Sequence, residues 1–395
     1  MQHQASLKRP KTAIIGGGVI GLGIGWRLAQ AGCAVEIFER GEAGKGASWA
    51  AAGMLAAGVE TEPGELALHA LNRASQLAWP AFAAELEAAT GQSVELRREG
   101  TLMVALNRDD AAQLRYTYDF QRANGIALDW LNGAQTRARE PFLHPNLAAA
   151  VYSAADHQVE NRKLVRALRA AFLAVGGQLH EHAPVSAIET ASGKVTGVAL
   201  AAGRVAADVV VLAAGAWSGE IAGLPPRAKP AVRPIKGQML SLRMDPAAPL
   251  LRHVVWTPRV YLVPRSDGRL IVGATTEERG FDGDLTAGGV FALLEGAWRA
   301  LPSVEELPIE EMWVGFRPGS RDDAPLLGPA NSPGAEIDGL FYATGHHRNG
   351  ILLTPITANA VAQSILCGEV AEVLRPFTIA RFAKPETAAA AKETA

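Results

Sequence analysis

A chain of 395 residues is longer than one ordinary hydrophobic core supports, so its length predicts two domains. The composition, 48% apolar and 20% charged, is that of a globular protein, and a formal net charge of −2 without a basic block argues against nucleic-acid partners and stable membrane association. Two scattered cysteines, Cys33 and Cys367, offer neither a metal cluster nor a disulfide framework, so we expect no metal site and a cytoplasmic location.

The glycine-rich stretch near the N-terminus predicts a β-α-β unit that binds a dinucleotide. Residues 12–15 form a short apolar strand, and Gly16, Gly18 and Gly21 follow it with the spacing G-x-G-x-x-G. A second strand, AVEIFER, ends with Glu39, whose carboxylate can accept hydrogen bonds from ribose hydroxyls and would repel a 2′-phosphate. The predicted nucleotide contacts of this unit are Gly16, Gly18, Val19, Ile20, Gly21, Glu39 and Arg40.

The segment after the second strand favours FAD over NAD as the cofactor. Residues 41–55, GEAGKGASWAAAGML, are rich in glycine and alanine, where a plain NAD enzyme would continue its alternation of strands and helices. Such a loop lets the backbone lie close to a large flat cofactor, and the alternative is a flexible surface loop. The residues expected against the ribityl chain and the isoalloxazine ring are Ala47, Ser48, Ala52, Gly53 and Met54.

Two later apolar strands predict that the chain returns to the cofactor sheet. Residues 206–218 and 338–350 contain strands that run into Gly215 and Gly345, and ligands bind at the carboxyl ends of strands in open α/β sheets. Val185, in the strand-like HAPVSAIE, either covers the adenine or is an ordinary core residue. The candidate cofactor contacts of these segments are Val185, Gly215 and Trp217.

The segments between the cofactor strands predict a second domain. IKGQMLSLRM and RVYLVPRSDGRLIVGAT are β-rich, and SDG marks the second as a hairpin. Residues 64–89 and 286–301 are predicted to be helices. We therefore expect an α/β fold with a Rossmann-like FAD-binding domain (1–90, 150–225 and 317–380), a substrate domain with a mainly antiparallel sheet and helices (91–149 and 226–316), and a tail (381–395).

Five motifs spread over residues 12–380 carry more specific information: GGGVIG, ASWAAAGML, YLVPRSDGRLIVGATTE, WVGFRPGSRDDAPLLG and TGHHRNGILLTP. Together they resemble the glycine oxidases of the D-amino-acid oxidase superfamily. The resemblance implies a glutathione-reductase-type flavoprotein with non-covalent FAD, assembled as a homo-oligomer. It also implies oxidative deamination of glycine, sarcosine or other small D-amino acids by hydride transfer to the flavin, with O2 as acceptor. The products are a keto acid, ammonia and hydrogen peroxide, and the imine often serves thiamine thiazole synthesis.

The resemblance assigns catalytic roles to three residues. Arg317 and Arg348, the arginines of G-F-R-P-G and G-H-H-R-N-G, are expected to receive the substrate carboxylate together with Tyr261. The alternatives are that Arg317 pairs with Asp322 or Asp323, that Arg348 only holds a neighbouring loop, and that Tyr261 is an ordinary cross-strand aromatic residue.

The motif TGHHRNGILL also predicts contacts with the flavin ring. A helix that begins near Gly350 would point its positive end at the pyrimidine ring. His346 and His347 are expected to support this loop rather than to act as bases. The candidate cofactor contacts of the motif are Gly345, His346, His347, Arg348, Asn349, Gly350, Ile351 and Leu352.

Substrate size and electron acceptor remain open at this point. The wall opposite the carboxylate site is expected to include Met54, Thr276 and residues near Arg259, and Thr276 stands where the family often has a larger apolar side chain. A broader D-amino-acid oxidase, an acceptor-coupled dehydrogenase and a non-catalytic flavin-binding module are the competing functions.

Overall fold

A computed structural model describes residues 9–383, in which two large β-sheets are combined with α-helices. The expected tail therefore lies outside the described residues from position 384 onward. The helices are α1 (Val19–Gln30), α2 (Ala47–Ala50), α3 (Leu66–Thr90), α4 (Arg108–Ala123), α5 (Gly133–Arg139), α6 (Asn161–Ala174), α7 (Ala287–Ala300) and α8 (Thr354–Cys367). The strands are β1 (Thr12–Ile15), β2 (Val35–Phe38), β3 (Met54–Leu55), β4 (Thr101–Ala105), β5 (Asp129–Asn132), β6 (Ala149–Ser153), β7 (His157–Gln158), β8 (Gln178–His180), β9 (Val185–Ala191), β10 (Lys194–Leu200), β11 (Gly203–Ala206), β12 (Val209–Leu212), β13 (Arg233–Arg243), β14 (Val254–Trp256), β15 (Tyr261–Pro264), β16 (Arg269–Gly273), β17 (Ile309–Gly319), β18 (Leu326–Ala330) and β19 (Ile337–Thr344).

The first sheet has nine strands in the order β11-β10-β19-β12-β1-β2-β8, with β9 beside β10 and β18 beside β19. Strands β19, β12, β1, β2 and β8 are parallel to one another, and Val210 of β12 pairs with Ala13 on one side and Leu340 on the other. Because the strands are parallel, their carboxyl ends lie at one edge of the sheet. The predicted β-α-β unit and the return of the two later strands to this sheet are confirmed.

Helix α1 is buried on nearly every side, which explains its lack of a hydrophilic face. Leu22, Ile24, Trp26 and Leu28 are all fully buried between the sheet and the neighbouring helices α6 and α8. Burial of a leucine or isoleucine side chain stabilises a fold by roughly 1.5–3 kcal/mol. This packing fixes the N-terminus of α1 at the edge where the parallel strands end.

The second sheet has eight strands in the order β17-β13-β16-β15-β14-β4-β6-β5 and is antiparallel except for the pair β14–β4. The predicted hairpin is confirmed as β15 and β16, and the two predicted helices are confirmed as α3 and α7. The β-rich interpretation of residues 91–149 is incomplete, because α4 and α5 also lie there. Asn107 caps α4 by accepting a hydrogen bond from the backbone of Asp110.

Two of the expected domain boundaries fall inside strands. The boundary at 149/150 divides β6, and the boundary at 316/317 divides β17, although each strand pairs along its length within the eight-stranded sheet. A strand that pairs throughout with one sheet belongs to that sheet. Among the described residues, no helix is both long enough and apolar enough to cross a bilayer.

Arg265, in the turn between β15 and β16, ties this hairpin to the small-residue loop and to the start of α6. Its buried guanidinium donates hydrogen bonds to the carbonyls of Ala52 (2.7 Å) and Val159 (2.8 Å) and to the side chains of Gln158 (3.1 Å) and Asn161 (3.0 Å). Burial lowers the pKa of Arg265 to about 10, so the group stays charged at neutral pH. Arg265 therefore has a structural role behind the small-residue loop.

Candidate active site

A cavity of about 1260 Å³ lies between the carboxyl edge of the parallel strands and the face of the eight-stranded sheet. It exceeds the roughly 300–1,000 Å³ of ordinary small-molecule sites, which leaves room for a dinucleotide beside a small substrate. Most of the residues predicted from sequence line this one cavity: Gly16, Gly18, Val19, Ile20, Glu39, Arg40, Ala47, Ser48, Ala52, Gly53, Met54, Val185, Gly215, Trp217, Tyr261, Arg317, His346, His347, Arg348, Gly350 and Ile351.

Four predicted contacts do not line the cavity and instead support the residues that do. Gly21 lies beneath Gly16, and Gly345 forms the turn after β19 with a φ of 72°. Asn349 is buried, and the Leu352 carbonyl accepts hydrogen bonds from α3 rather than facing a ligand.

The G-x-G-x-x-G turn is shaped to receive phosphates. Gly16 has a φ of 108°, and a Cβ on Gly21 would lie 2.0 Å from the Gly16 carbonyl oxygen, so neither position accepts a side chain without a shift. Gly18 is the N-cap of α1 and supplies no side-chain cap, while the Val19 amide donates to Ser48 Oγ at 3.1 Å. The N-terminus of a helix attracts anions through its free N–H groups and its dipole. This cradle fits a pyrophosphate.

Glu39 directly follows β2, so it lies at the same carboxyl edge of the nine-stranded sheet as the glycine turn after β1. Its Oε2 accepts a hydrogen bond from the Gly17 amide (2.9 Å) and its Oε1 accepts one from the Gly41 amide (3.0 Å). Two backbone amides thus fix the carboxylate at the cavity wall. Its remaining lone pairs can accept hydrogen bonds from ribose hydroxyls. Together with the glycine turn, this arrangement fits the adenosine half of FAD.

Aromatic residues continue the cavity wall beyond the nucleotide cradle. The Arg40 guanidinium lies 3.5 Å from the centre of the Trp217 ring, and Trp217 stacks on Phe281 at 4.8 Å. Phe281 belongs to the loop before α7, so this stack joins the two sheets at the cavity wall.

The small-residue loop is held from behind so that its backbone can face a flat ring. Asn161 donates from Nδ2 to the carbonyls of Ser48 (2.9 Å) and Trp49 (3.0 Å). Arg265 binds the Ala52 carbonyl, and a Cβ on Gly53 would lie 2.1 Å from the Val159 oxygen. A loop fixed in this way offers its bare backbone to a flat ring, and its contact with the isoalloxazine end of FAD stays a prediction.

Arg317 lies in β17 opposite Ile235, and its guanidinium crosses the bare backbone of Gly237. Its Nη1 donates to the Thr275 carbonyl at 3.1 Å, which fixes the guanidinium plane. Neither alternative pairing is present among the described residues, because Asp322 binds Arg381 through two contacts of 2.9 Å and the Asp323 carboxylate lies 3.7 Å from His347 Nδ1. The charge of Arg317 therefore remains available to an anion in the cavity.

Tyr261 lies beside Arg317 at the start of the hairpin. Its side chain is almost fully buried, and its ring lies against Gly273, the residue with which it pairs in β16. Burial raises the pKa of the Tyr261 hydroxyl, although the charge and hydrogen bonding of Arg317 partly offset this rise. Tyr261 is thus a neutral hydrogen-bond donor next to a cation.

Gly237→Ala is expected to weaken binding of a carboxylate while leaving the fold intact. An added Cβ would lie 2.6 Å from Arg317 Nη1 and 3.1 Å from its Cζ, so the flexible arginine, not the strand, must move. We expect the Kd of a small carboxylate, read from the flavin absorbance spectrum, to rise about tenfold. Gly283→Ala is the control, since no atom lies within 4 Å of the new methyl group. An unchanged Kd in Gly237→Ala would contradict this placement of Arg317.

Arg348 lines the same cavity but already has carboxylate partners. Its Nη2 donates to both oxygens of Glu65 at 2.8 and 3.0 Å, and its Nε lies 3.2 Å from a carboxylate oxygen of Glu60. Its Nη1 has no protein acceptor within residues 9–383. Burial raises the pKa of Glu60 to about 7, while the charge of Arg348 limits this rise.

The two histidines of the G-H-H-R-N-G motif are held uncharged at neutral pH. His346 is buried, its Nε2 lies 3.2 Å from Thr357 Oγ1, and burial lowers its pKa to about 3. His347 has a φ of 45°, and its Nδ1 lies 3.7 Å from the Asp323 carboxylate. Burial also lowers the pKa of His347, to about 4.

The helix expected to begin near Gly350 begins four residues later. A 3-10 turn (His347–Asn349) and irregular turns precede α8, which starts at Thr354 with Pro355 in its first turn. Proline favours the first turn of a helix, and this residue marks the start more reliably than the apolar run does. The turns at Gly350 and Ile351, rather than the end of α8, face the cavity.

Several residues that line the cavity could not be identified from the sequence around them. Glu60 lies between β3 and α3, and Gln113, Tyr116 and Thr117 belong to α4. The acidic run around Glu60 lacks a basic neighbour in sequence, which was the one available hint of a distant cationic partner.

Comparison with known proteins agrees with this geometry. Residues 11–364 match the family model described as FAD dependent oxidoreductase. The glycine oxidase of Geobacillus kaustophilus is 38% identical over 376 residues, covering 94% of this chain and 97% of that protein. The crystal structure of that species' glycine oxidase has a TM-score of 0.87 at 36% identity, covering 95% of this chain and 100% of the other. A bifunctional protein ThiO/ThiG of Synechocystis is 38% identical, but the match covers 53% of its length.

Proposed function

The chain belongs to the FAD-dependent oxidoreductase family that includes the glycine oxidases, and from this premise we propose that it oxidises glycine and other small amino acids. It is an FAD-dependent amino-acid oxidoreductase. The proposal concerns its substrate, the residues that bind it and its electron acceptor. One observation carries it: Arg317 and Tyr261 share a wall of the same cavity whose other end is the dinucleotide cradle.

The substrate carboxylate binds to Arg317 and Tyr261 in this proposal. Arg317 offers a guanidinium fixed by Thr275, and Tyr261 offers a neutral hydroxyl that donates a hydrogen bond. The free Nη1 of Arg348 completes the clamp. A carboxylate held at several points fixes the position of Cα and of its hydrogen relative to the flavin site.

Bound FAD would supply the acceptor for a hydride from Cα, and the protein supplies position, a dry site and electrostatics. The buried wall around Tyr261 excludes water from the reacting bond. His346 and His347 are neutral and do not act as charged acids in this scheme. The imine that leaves is hydrolysed by water to a keto acid and ammonia.

An anaerobic reduction screen tests the proposal. Purified holoprotein is mixed without oxygen with glycine, sarcosine, D-alanine, D-proline and L-alanine, and flavin absorbance is followed. We expect glycine, sarcosine or a small D-amino acid to bleach the flavin and L-alanine not to. Bound FAD that no amino acid reduces would refute the proposal and support a non-catalytic flavin-binding protein.

Admission of air to the reduced protein distinguishes an oxidase from an acceptor-coupled dehydrogenase. An oxidase regains its colour at once and forms one hydrogen peroxide per flavin, whereas a dehydrogenase recovers slowly. We propose the oxidase. D-amino acids of increasing size then test whether Thr276, which lines the cavity, admits substrates larger than glycine.

We also infer an architecture of the glutathione-reductase type, with the nine-stranded sheet as cofactor domain and the eight-stranded sheet as substrate domain. The support is the dinucleotide cradle at the carboxyl edge of the first sheet and Arg317 on the second. A homo-oligomer in the cytoplasm remains our expectation, and light scattering of the purified protein measures the assembly.

A further inference from the structure

A cluster of three carboxylates surrounds Arg348 on the wall of the candidate active site. Glu60, Glu62 and Glu65 all belong to the segment between β3 and α3, and each raises the pKa of Arg348 through its charge. Within the part of the chain that the structure describes, Arg348 is the one guanidinium paired with members of this cluster. When all four groups are ionised, this wall carries a net negative charge despite its arginine.

Glu60 is the member of the cluster placed to act on a substrate. It lines the cavity, and its side chain is 12% exposed. Its charge also reaches Tyr261, because Glu60 contributes to the raised pKa of that hydroxyl. Glu60, Arg317 and Tyr261 all line the same cavity, so the Glu60 carboxylate and the carboxylate clamp face the same substrate volume.

Arg317, Tyr261 and Glu60 together place different requirements on the two ends of a substrate. One end meets Arg317 and Tyr261 and must be an anion. The other end meets Glu60, which shares the single charge of Arg348 with Glu65. A second carboxylate there would be repelled by Glu60, and the Nε and Nη2 of Arg348 are already paired with Glu60 and Glu65.

We propose that Glu60 is a specificity-determining residue that rejects substrates with a second carboxylate and admits those whose distal group is neutral. This inference rests on the proposed amino-acid oxidation at the same site. Arg348 acts on this selection as a positioning residue, since its Nε holds the Glu60 carboxylate in place.

The rejection of a second carboxylate should weaken as the pH falls. The groups that face Glu60 are Arg348, Glu65, Asp156 and Tyr261, and burial outweighs the attraction of Arg348, so the pKa of Glu60 is raised to about 7. Above this pH the group is an anion and repels a second carboxylate. Below it the group is protonated, and the rejection fades.

D-aspartate and D-asparagine are the matched pair that tests the proposal. They have nearly the same size, and the side-chain carboxylate of aspartate, with a pKa of about 3.9, stays ionised from pH 6 to pH 8. Each is measured as a competitive inhibitor of, or competing substrate with, glycine in the holoenzyme. The ratio of the two inhibition constants then reports the effect of charge alone.

We expect wild-type enzyme at pH 8 to bind D-asparagine more tightly than D-aspartate, and Glu60→Gln to reduce this ratio about tenfold. Glutamine keeps the shape of the side chain and removes its charge. In wild-type enzyme the ratio should also fall between pH 8 and pH 6, whereas in Glu60→Gln it should stay constant. Glu310→Gln, which removes a carboxylate paired with Arg243 outside the cavity, should leave the wild-type ratio unchanged.

Two results would overturn the role of Glu60. One is an equal ratio in wild-type and Glu60→Gln enzyme at pH 8, and the other is a wild-type ratio that is flat between pH 6 and pH 8. The second needs no variant, so a poorly folding Glu60→Gln does not prevent the test. Reduction of the flavin by glycine in the same preparation shows separately that the proposed function holds.

Discussion

Arg317→Ala is expected to lower kcat/KM for glycine or a small D-amino acid roughly 100- to 1,000-fold. The change removes a guanidinium that has no carboxylate partner within residues 9–383, and it leaves Tyr261 as the main contact on that wall. Most of the loss should appear in KM, because the carboxylate is bound in both the ground state and the transition state. Steady-state kinetics measured by peroxide formation gives both parameters.

The same variant should remain yellow, since Arg317 lies in the eight-stranded sheet, whereas the glycine turn and Glu39 lie at the edge of the nine-stranded sheet. Arg204→Ala is the matched control. Arg204 is an exposed arginine in β11 paired with Glu189, so its loss should change kcat/KM less than twofold, about 0.4 kcal/mol. A KM in Arg317→Ala equal to that of the control would remove Arg317 from the carboxylate site.

Gly21→Ala is expected to yield protein that is largely colourless after purification. The added Cβ would lie 2.0 Å from the Gly16 carbonyl oxygen and 3.3 Å from Ile14 Cγ2, and the first of these atoms belongs to rigid backbone. The start of α1 must therefore move away from β1, which displaces the amides that receive the phosphates. Overpacking of this kind costs about 1–3 kcal/mol of folding free energy in addition.

The ratio of flavin to protein absorbance measures the retained cofactor, and Tm with and without added FAD separates lost binding from lost stability. We expect wild-type Tm to rise with added FAD and the Tm of Gly21→Ala to respond only at much higher concentrations. Gly288→Ala in α7 is the control, because its methyl group would meet no atom within 4 Å. Full FAD retention in Gly21→Ala would contradict the tight contact between helix and turn.

Local patterns were sufficient to predict the nucleotide-binding half of the protein. The strand at 12–15, the glycine turn and Glu39 lie within 28 residues, and their chemistry depends on spacing along the chain. The hairpin of β15 and β16 was predictable for the same reason, since SDG and the alternation on both sides specify it.

Features that depend on distant partners were not predictable in this way. The resemblance assigned Arg348 to the substrate carboxylate, and its partners Glu60 and Glu65 could not be foreseen because they lie more than 280 residues earlier and meet it only in the fold. The start of α8 was misplaced because burial, rather than helical structure, produced the apolar run after Gly350. Helix α4 was overlooked because its face is mostly polar and only Leu114 and Gln121 are buried.

The position of β19 between β10 and β12 has a consequence for synthesis of the protein. Strand β19 begins about 125 residues after β12 ends, and at translation rates of about 5–20 residues per second this separates the two strands by roughly 6 to 25 s. Throughout that interval β12 lacks a neighbour on one side, so the nascent sheet exposes an apolar strand edge to the ribosome's surroundings. Capture of the flavin nucleotide is therefore an event that follows translation, and a ribosome stalled before codon 337 leaves a chain that lacks the middle of its sheet rather than an end of it.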